Sequence, residues 1–245
     1  MTRLILVICL PVLLASFCSR RTAPLQTLPP VILWAWERPE DLSFIDPHTT
    51  GVAYLAKTID LRGDLMTVRP RLQPLQLAPG TRVVAVVRIE SDAKQGGFVP
   101  NKVKQIGKEI ADLADRATVV QIDYDAIVPE RRFYRQILEE VRRQLPAETA
   151  LSMTALASWC AGDDWLGDLP VDEAVPMLFR LGVDQRQFQW RLETGRAFES
   201  RMCQNAAGVS TDEPVTPPAV DRLYIFNPKP WTKDSFAAAM ETYRK

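Results

Sequence analysis

The chain has 245 residues, enough for one large domain with a sizeable core. Its 30 Lys and Arg balance 30 Asp and Glu without a basic run, which argues against nucleic acid as a partner. A hydrophobic content of 47% excludes disorder, and a single histidine without paired cysteine spacing argues against zinc or another metal.

The chain opens with "MTRLILVICLPVLLASFCSRR". Arg3, an apolar run from Leu4 to Leu14 and then small residues form a secretory signal pattern, and the run is short for a transmembrane span. Residues 1–18 are read as signal peptide, 19–30 as a Pro-rich spacer and 31–245 as one domain. The expected location is periplasmic or secreted, with no stable membrane span after processing. A lipid anchor at Cys18 is the minority alternative, because Phe17 stands where a small residue is usual. Export would leave Cys160 and Cys203 in an oxidising compartment, able to form one disulfide; two separate thiols are the alternative.

After the spacer, "VILWAWE" reads as a first strand and "GVAYLAKTIDL" as a second. "RGDLMTVRPRLQPLQLAPG" lacks a helical period and is proline-rich, so it is expected as a β excursion, a hairpin outside the main sheet. "TRVVAVVRIES" is the third strand, followed by a helix over "NKVKQIGKEIADLADRA". "TVVQIDYDA" is the fourth, and the next helix lies between Pro129 and Pro146. "ALSMTALASW" is the fifth strand and "VDEAVPMLFRLG" the sixth, weakened by Glu173 and Ala174. A helix over "DQRQFQWRLETG", strands over "AAGVSTDEP" and "DRLYIFNP", and a helix capped by Thr232 complete the chain.

Strands alternating with helices imply parallel pairing, and eight of them match an α/β fold of the (β/α)8 TIM type. An open doubly wound sheet is the runner-up, but the first strand lacks a glycine fingerprint, and no cofactor is expected. In "VVQIDYDA", strand alternation turns Val120, Ile122 and Tyr124 to the helices. Val119, Gln121, Asp123 and Asp125 then face the barrel axis, with the acids at the C-terminal mouth, where barrel enzymes carry their sites.

Other strands also end in polar groups: Glu37, Asp60 with Arg62, Arg88 with Glu90, Arg180, Asp212 with Glu213, and Asn227. Their structural reading is an ion-pair network on the rim; their functional reading is a site. Trp34, Trp36, Trp159, Trp165 and Trp231 gather on the same side and offer flat platforms for sugar rings. One of Trp34 and Trp36 is expected to pack on the helices as core. His48 is expected as a surface or capping residue of a loop.

The succession "VILWAWERPEDL", "VVQIDYDA", "LSMTALASWC", "DEAVPMLFRLG" and "GVSTDEP" resembles a bacterial family called domain of unknown function 3142. The resemblance covers most of the chain after the signal and implies an exported barrel without a settled activity. "QIDYDA" and "LSMTALAS" also resemble the fourth and fifth strands of the chitinase-like glycoside hydrolases of family 18. That resemblance implies that Asp123 and Asp125 match the family's alternating aspartates. The position of its catalytic glutamate falls on Ile127, which cannot donate a proton.

These readings converge on an exported, glycosidase-like barrel acting on, or binding, carbohydrate or cell-envelope glycan. Asp125 is the expected general acid and Asp123 its tuning neighbour, with the opposing carboxylate drawn from Glu213, Asp212 or Glu37. Trp36, Arg88, Glu90, Trp159, Arg180 and Asn227 are expected to bind substrate. The alternative is a non-catalytic envelope module that binds polysaccharide or a protein.

Overall fold

The computed structural model describes residues 23–92, 100–182, 185–196 and 198–243. The signal pattern and Cys18 lie outside the described residues. Among the described residues eleven strands form: β1 (Val31–Ala35), β2 (Glu40–Leu42), β3 (Thr50–Arg62), β4 (Leu65–Pro70), β5 (Leu75–Leu77), β6 (Val83–Ser91), β7 (Val119–Asp123), β8 (Ala150–Leu156), β9 (Glu173–Met177), β10 (Ala206–Ser210) and β11 (Arg222–Phe226). The α-helices used below are α1 (Val103–Ala111), α2 (Arg131–Gln144), α3 (Ala157–Cys160), α4 (Gln185–Glu193) and α5 (Lys233–Tyr243).

Eight of the strands close a barrel in the order β1-β11-β10-β9-β8-β7-β6-β3, with β1 pairing β3 to complete the ring. Every pairing around this ring is parallel. This is a TIM-type α/β barrel, and its eight strands are those the sequence pattern marks. The crossovers are less regular. Among the described residues, β1 and β3 are followed by extended segments rather than helices. No α-helix stands between β10 and β11.

The excursion after β3 departs from the expectation of a hairpin outside the main sheet. β3 is itself one arm: its second half pairs antiparallel with β4. A register shift between Leu55 and Lys57 marks a bulge there; beyond it β3 still pairs with β6 as far as Leu61 while its other edge takes β4. The remainder, β5, pairs with β2 as a separate two-stranded sheet.

Helix packing follows the apolar spacing. Ile106 and Ile110 of α1 and Phe133, Tyr134, Ile137, Leu138 and Val141 of α2 are buried. They share one core cluster with Val120, Ile122 and Tyr124 of β7. A β-carbon on Gly107 would stand 2.6 Å from Cγ of Glu140, so glycine lets α1 approach α2 closely. The disulfide is formed: Cys160, at the end of α3, bonds Cys203, with Cα atoms 5.9 Å apart.

The barrel interior is a second core. Ile32, Trp34, Ala53, Val84, Val86, Val119, Ala150, Val175, Ala206 and Tyr224 fill it. Leu25 and Leu28 join this cluster, so part of the stretch read as spacer packs into the barrel. Through the apolar filling runs a polar chain. Gln121, Ser152 and Glu173 are register neighbours on β7, β8 and β9. The Gln121 amide donates to Ser152 Oγ at 3.1 Å, and Ser152 donates to Glu173 at 3.0 Å. The Tyr224 hydroxyl donates to Glu173 at 2.9 Å, and Arg222 pairs with its other oxygen. Arg222 also donates to the Leu25 carbonyl. Glu173 therefore begins a strand, although acids disfavour strands, because the barrel interior supplies its partners.

Glu173 and Arg222 are both buried, 3% and 7% exposed, so removing one charge strands the other. Glu173→Gln should destabilise the fold by roughly 3–5 kcal/mol, measured by urea denaturation. A loss below about 1 kcal/mol would mean that Arg222 finds other compensation.

Candidate functional site

The inward residues of the upper barrel layer and the loops above them enclose a pocket of about 790 Å³. Trp34 lies low in the barrel. Its indole N–H donates to Gln121 Oε1 at 3.0 Å, and its ring meets Tyr224 at 5.2 Å. On β10, two strands round the wall from β1, a β-carbon at position 208 would stand 2.7 Å from the indole, so Gly208 makes room for the ring. Trp36, Phe226 and Phe179 continue the aromatic lining. Trp36 meets Phe226 edge-on at 6.1 Å, and Phe226 stacks on Phe179 at 5.7 Å. Trp34 and Trp36 both line the pocket, against the expectation that one would pack on the helices. Residues two apart on a strand share a face, and it is Ala35 that turns outward.

The loop carrying Trp36 is held by two arginines. Arg71 from the excursion donates to the Trp36 carbonyl and, at 2.6 Å, to that of Arg38. Arg38 donates to the Asn227 and Lys229 carbonyls at 2.7 Å each and pairs with Glu40 at 2.7 Å. The excursion thus fixes one wall of the pocket.

Charge is concentrated around Arg88, the register partner of Asp123. Its guanidinium lies 2.7 Å from Asp123, 3.2 Å from Glu90 and 3.7 Å from Asp125. It also sits 5.8 Å from the centre of the Trp36 ring. Asp123 is 4% exposed and accepts a further hydrogen bond from Thr154 at 2.8 Å. Asp125 follows the end of β7, and its side chain keeps 47% exposure. Burial in the concave mouth pushes its pKa up; the charge of Asp123 adds to this, and Arg88 opposes it. The dominant effect is removal of water by surrounding protein even where the carboxyl still opens to the pocket.

A second cluster stands on the opposite rim. Arg180 adopts a left-handed backbone, φ 56°, which costs a non-glycine residue about 1–3 kcal/mol. Its backbone N–H donates to Glu213 at 2.8 Å, while its guanidinium pairs with Glu213 and, at 2.8 Å, with Asp212. The Asp212 carboxyl is held below its usual range, first by the Ser210 hydroxyl and then by Arg180.

The structure therefore brings Asp123, Asp125, Trp36, Arg88, Glu90 and Arg180 to one pocket. Asp212 and Glu213 stay behind Arg180 and do not line it. Glu37 is exposed outside it. Trp159 is 2% exposed and packs edge-on against Trp165 at 4.9 Å in the helix-side core. β8 ends at Leu156 and the chain turns into α3, so strand alternation no longer governs Trp159. Asn227 is buried, accepting from Thr211 at 2.9 Å, while Phe226 takes the inward position. Sequence reasoning missed Thr154, Phe179, Phe226, Phe188 and Arg191. Alternation carried one residue less far along β11 would have found Phe226. Residues of α4 had no such signal, because they enter the site by helix docking. His48 lies exposed in a turn, its backbone N–H bonded to Asp46 at 3.0 Å.

No family model matches the chain, and no curated protein matches it by sequence. Among solved structures, it is similar to the spore cortex-lytic enzyme SleL of Bacillus cereus, with 16% identity and a TM-score of 0.46. The match covers 75% of this chain and 52% of that one, so this chain spans about half the length of SleL. A likeness of that degree assigns no activity, and the barrel stands on its own strand order.

Two outcomes follow from the packing and the charges. Gly208→Ala should cost roughly 1–3 kcal/mol, because the pinned indole must shift to admit the methyl group; thermal denaturation and tryptophan emission report it. Asp125 has a folded-state pKa above its ordinary value near 4, so its ionised form costs stability at higher pH. Asp125→Asn should therefore raise the melting temperature at pH 7, with the gain vanishing as pH falls below about 4. A gain that grows on acidification would reverse this sign.

Proposed function

We propose that the protein is a glycosidase-like barrel that binds a glycan in its mouth pocket, with Asp125 as the proton donor. The observation that carries this reading is Asp125 itself: a carboxyl with a raised pKa, open to an aromatic-lined pocket beside a guanidinium. A general acid must keep its proton near working pH, and burial with a like charge is how a carboxylate does so. Trp36, Phe226 and Phe179 offer apolar faces to sugar rings. Asp123, saturated by Arg88 and Thr154, orients and tunes Asp125. The second carboxylate that glycoside hydrolysis requires is then Glu90, the other half-exposed acid in the pocket, because Asp212, Glu213 and Glu37 do not reach it.

A non-catalytic module is the second reading. Two observations favour it: Ile127 occupies the position of the acid in the chitinase-like resemblance, and Glu90 is itself paired with Arg88 and Arg69. The resemblance of the quoted segments is the sole ground for proposing membership of the unknown-function family. The Cys160–Cys203 disulfide fits an oxidising compartment and supports export, with lipidation of Cys18 as the variant form. Among the described residues, no helix is long and apolar enough to cross a membrane.

Hydrolysis and binding should be measured together on a panel of envelope and structural polysaccharides. Asp125→Asn should lower turnover by about 10²–10⁴-fold while sparing binding, and Trp36→Ala should weaken binding. Wild-type binding without turnover selects the module. Turnover unchanged in Asp125→Asn removes Asp125 from the chemistry.

A further inference from the structure

The mouth pocket is bounded on one side by α4, and a second, smaller depression begins there. Trp190, Arg191, Arg196, Phe198 and Glu199 line it, and its volume is about 390 Å³. Arg191 lines both depressions, so the two abut. Helical geometry explains the division of labour along α4. Phe188 is 4% exposed and seats the helix in the core, also lining the mouth pocket. Trp190, two residues on, points away from that seat and is 54% exposed.

The far wall of this depression is fixed. The backbone N–H groups of Glu199 and Ser200 donate to the Cys160 carbonyl at 2.8 and 3.2 Å. Cys160 is in turn bonded to Cys203. Arg191 reaches across to Glu199 at 3.2 Å and ties the helix to that wall. The result is an exposed indole beside two guanidinium groups, on a braced surface, continuous with an aromatic pocket.

We infer that Trp190, Arg191 and Arg196 form an outer subsite for a sugar chain that leaves the mouth pocket over α4. The ligand is then an oligosaccharide or polysaccharide, not a single sugar. The inference rests on the reading of the mouth pocket as a glycan site. A pyranose ring presents an apolar C–H face that matches an indole, and its hydroxyls accept hydrogen bonds from arginine. Trp190 lines only the outer depression, so a single sugar held beside Asp125 would leave it uncovered. A longer chain would cover it.

The test uses the purified, disulfide-bonded protein and two ligand ladders, the disaccharide and hexasaccharide of β-1,4-linked N-acetylglucosamine and of β-1,4-linked glucose, by calorimetry. In at least one ladder the hexasaccharide should bind wild type more tightly than the disaccharide. Trp190→Ala should reduce that ratio by about 3- to 10-fold, the size expected of one aromatic platform. Trp36→Ala should weaken both ligands together. If the hexasaccharide has no advantage, or keeps it in Trp190→Ala, the outer subsite is overturned while Trp36→Ala still supports the glycan pocket. If neither ladder binds wild type at all, the pocket reading and the subsite fall together. If Trp190→Ala leaves the ladders unchanged but alters the sedimentation of the protein, Trp190 belongs to a protein interface and the inference is wrong.

Discussion

The hydrogen bond from the Trp34 indole to Gln121 is the constraint on which the pocket depends. It is the last link of a polar chain that begins at Arg222 and passes through Glu173, Ser152 and Gln121. Each link lies inside the barrel, where an unpartnered polar group would cost several times what a made bond contributes. The chain therefore ties five strands, β11, β9, β8, β7 and β1, together and fixes the height of the indole. Because Gly208 on β10 yields space, the ring lies low and leaves volume above it.

Above that layer, electrostatics replaces packing. One guanidinium, Arg88, serves three carboxylates of unequal exposure. The most buried, Asp123, takes the shortest contact and the added hydroxyl of Thr154. Asp125, farther away, is left with too little water and, second to that, a like charge beside it, so its proton is retained more readily. The opposite rim shows the reverse: Asp212 is eased into its ionised form, first by the Ser210 hydroxyl and then by Arg180, which also contacts Glu213. The two rims differ in burial and in the ratio of acids to arginines within reach.

The walls around this mouth are built by parts that the repeating barrel pattern does not supply. The excursion after β3 delivers Arg71 to the loop of Trp36, and the disulfide braces the segment facing α4. Both replace a helix crossover's rigidity with a specific bond. The two sides of the opening are thus held by different means, which leaves the region over α4 as its extension.

The sequence by itself determined the barrel. Strand periodicity at "VVAVVRIE", "VVQID", "ALSMTAL" and "RLYIF", separated by helical spacing, is local information, and eight parallel strands have few ways to bury both faces. The same alternation assigned the inward direction of Asp123 and Asp125, because a side chain's face is settled by its own strand. Tertiary structure alone decided which acid meets which arginine, since Arg88 and Asp123 become neighbours only through the β6–β7 register. It also decided that Glu173 is buried, that Trp159 turns into the helix-side core once β8 gives way to α3, and that Trp190 stands exposed beside the pocket. Those outcomes depend on distances between elements far apart in the chain, and periodicity within one element carries no information about them.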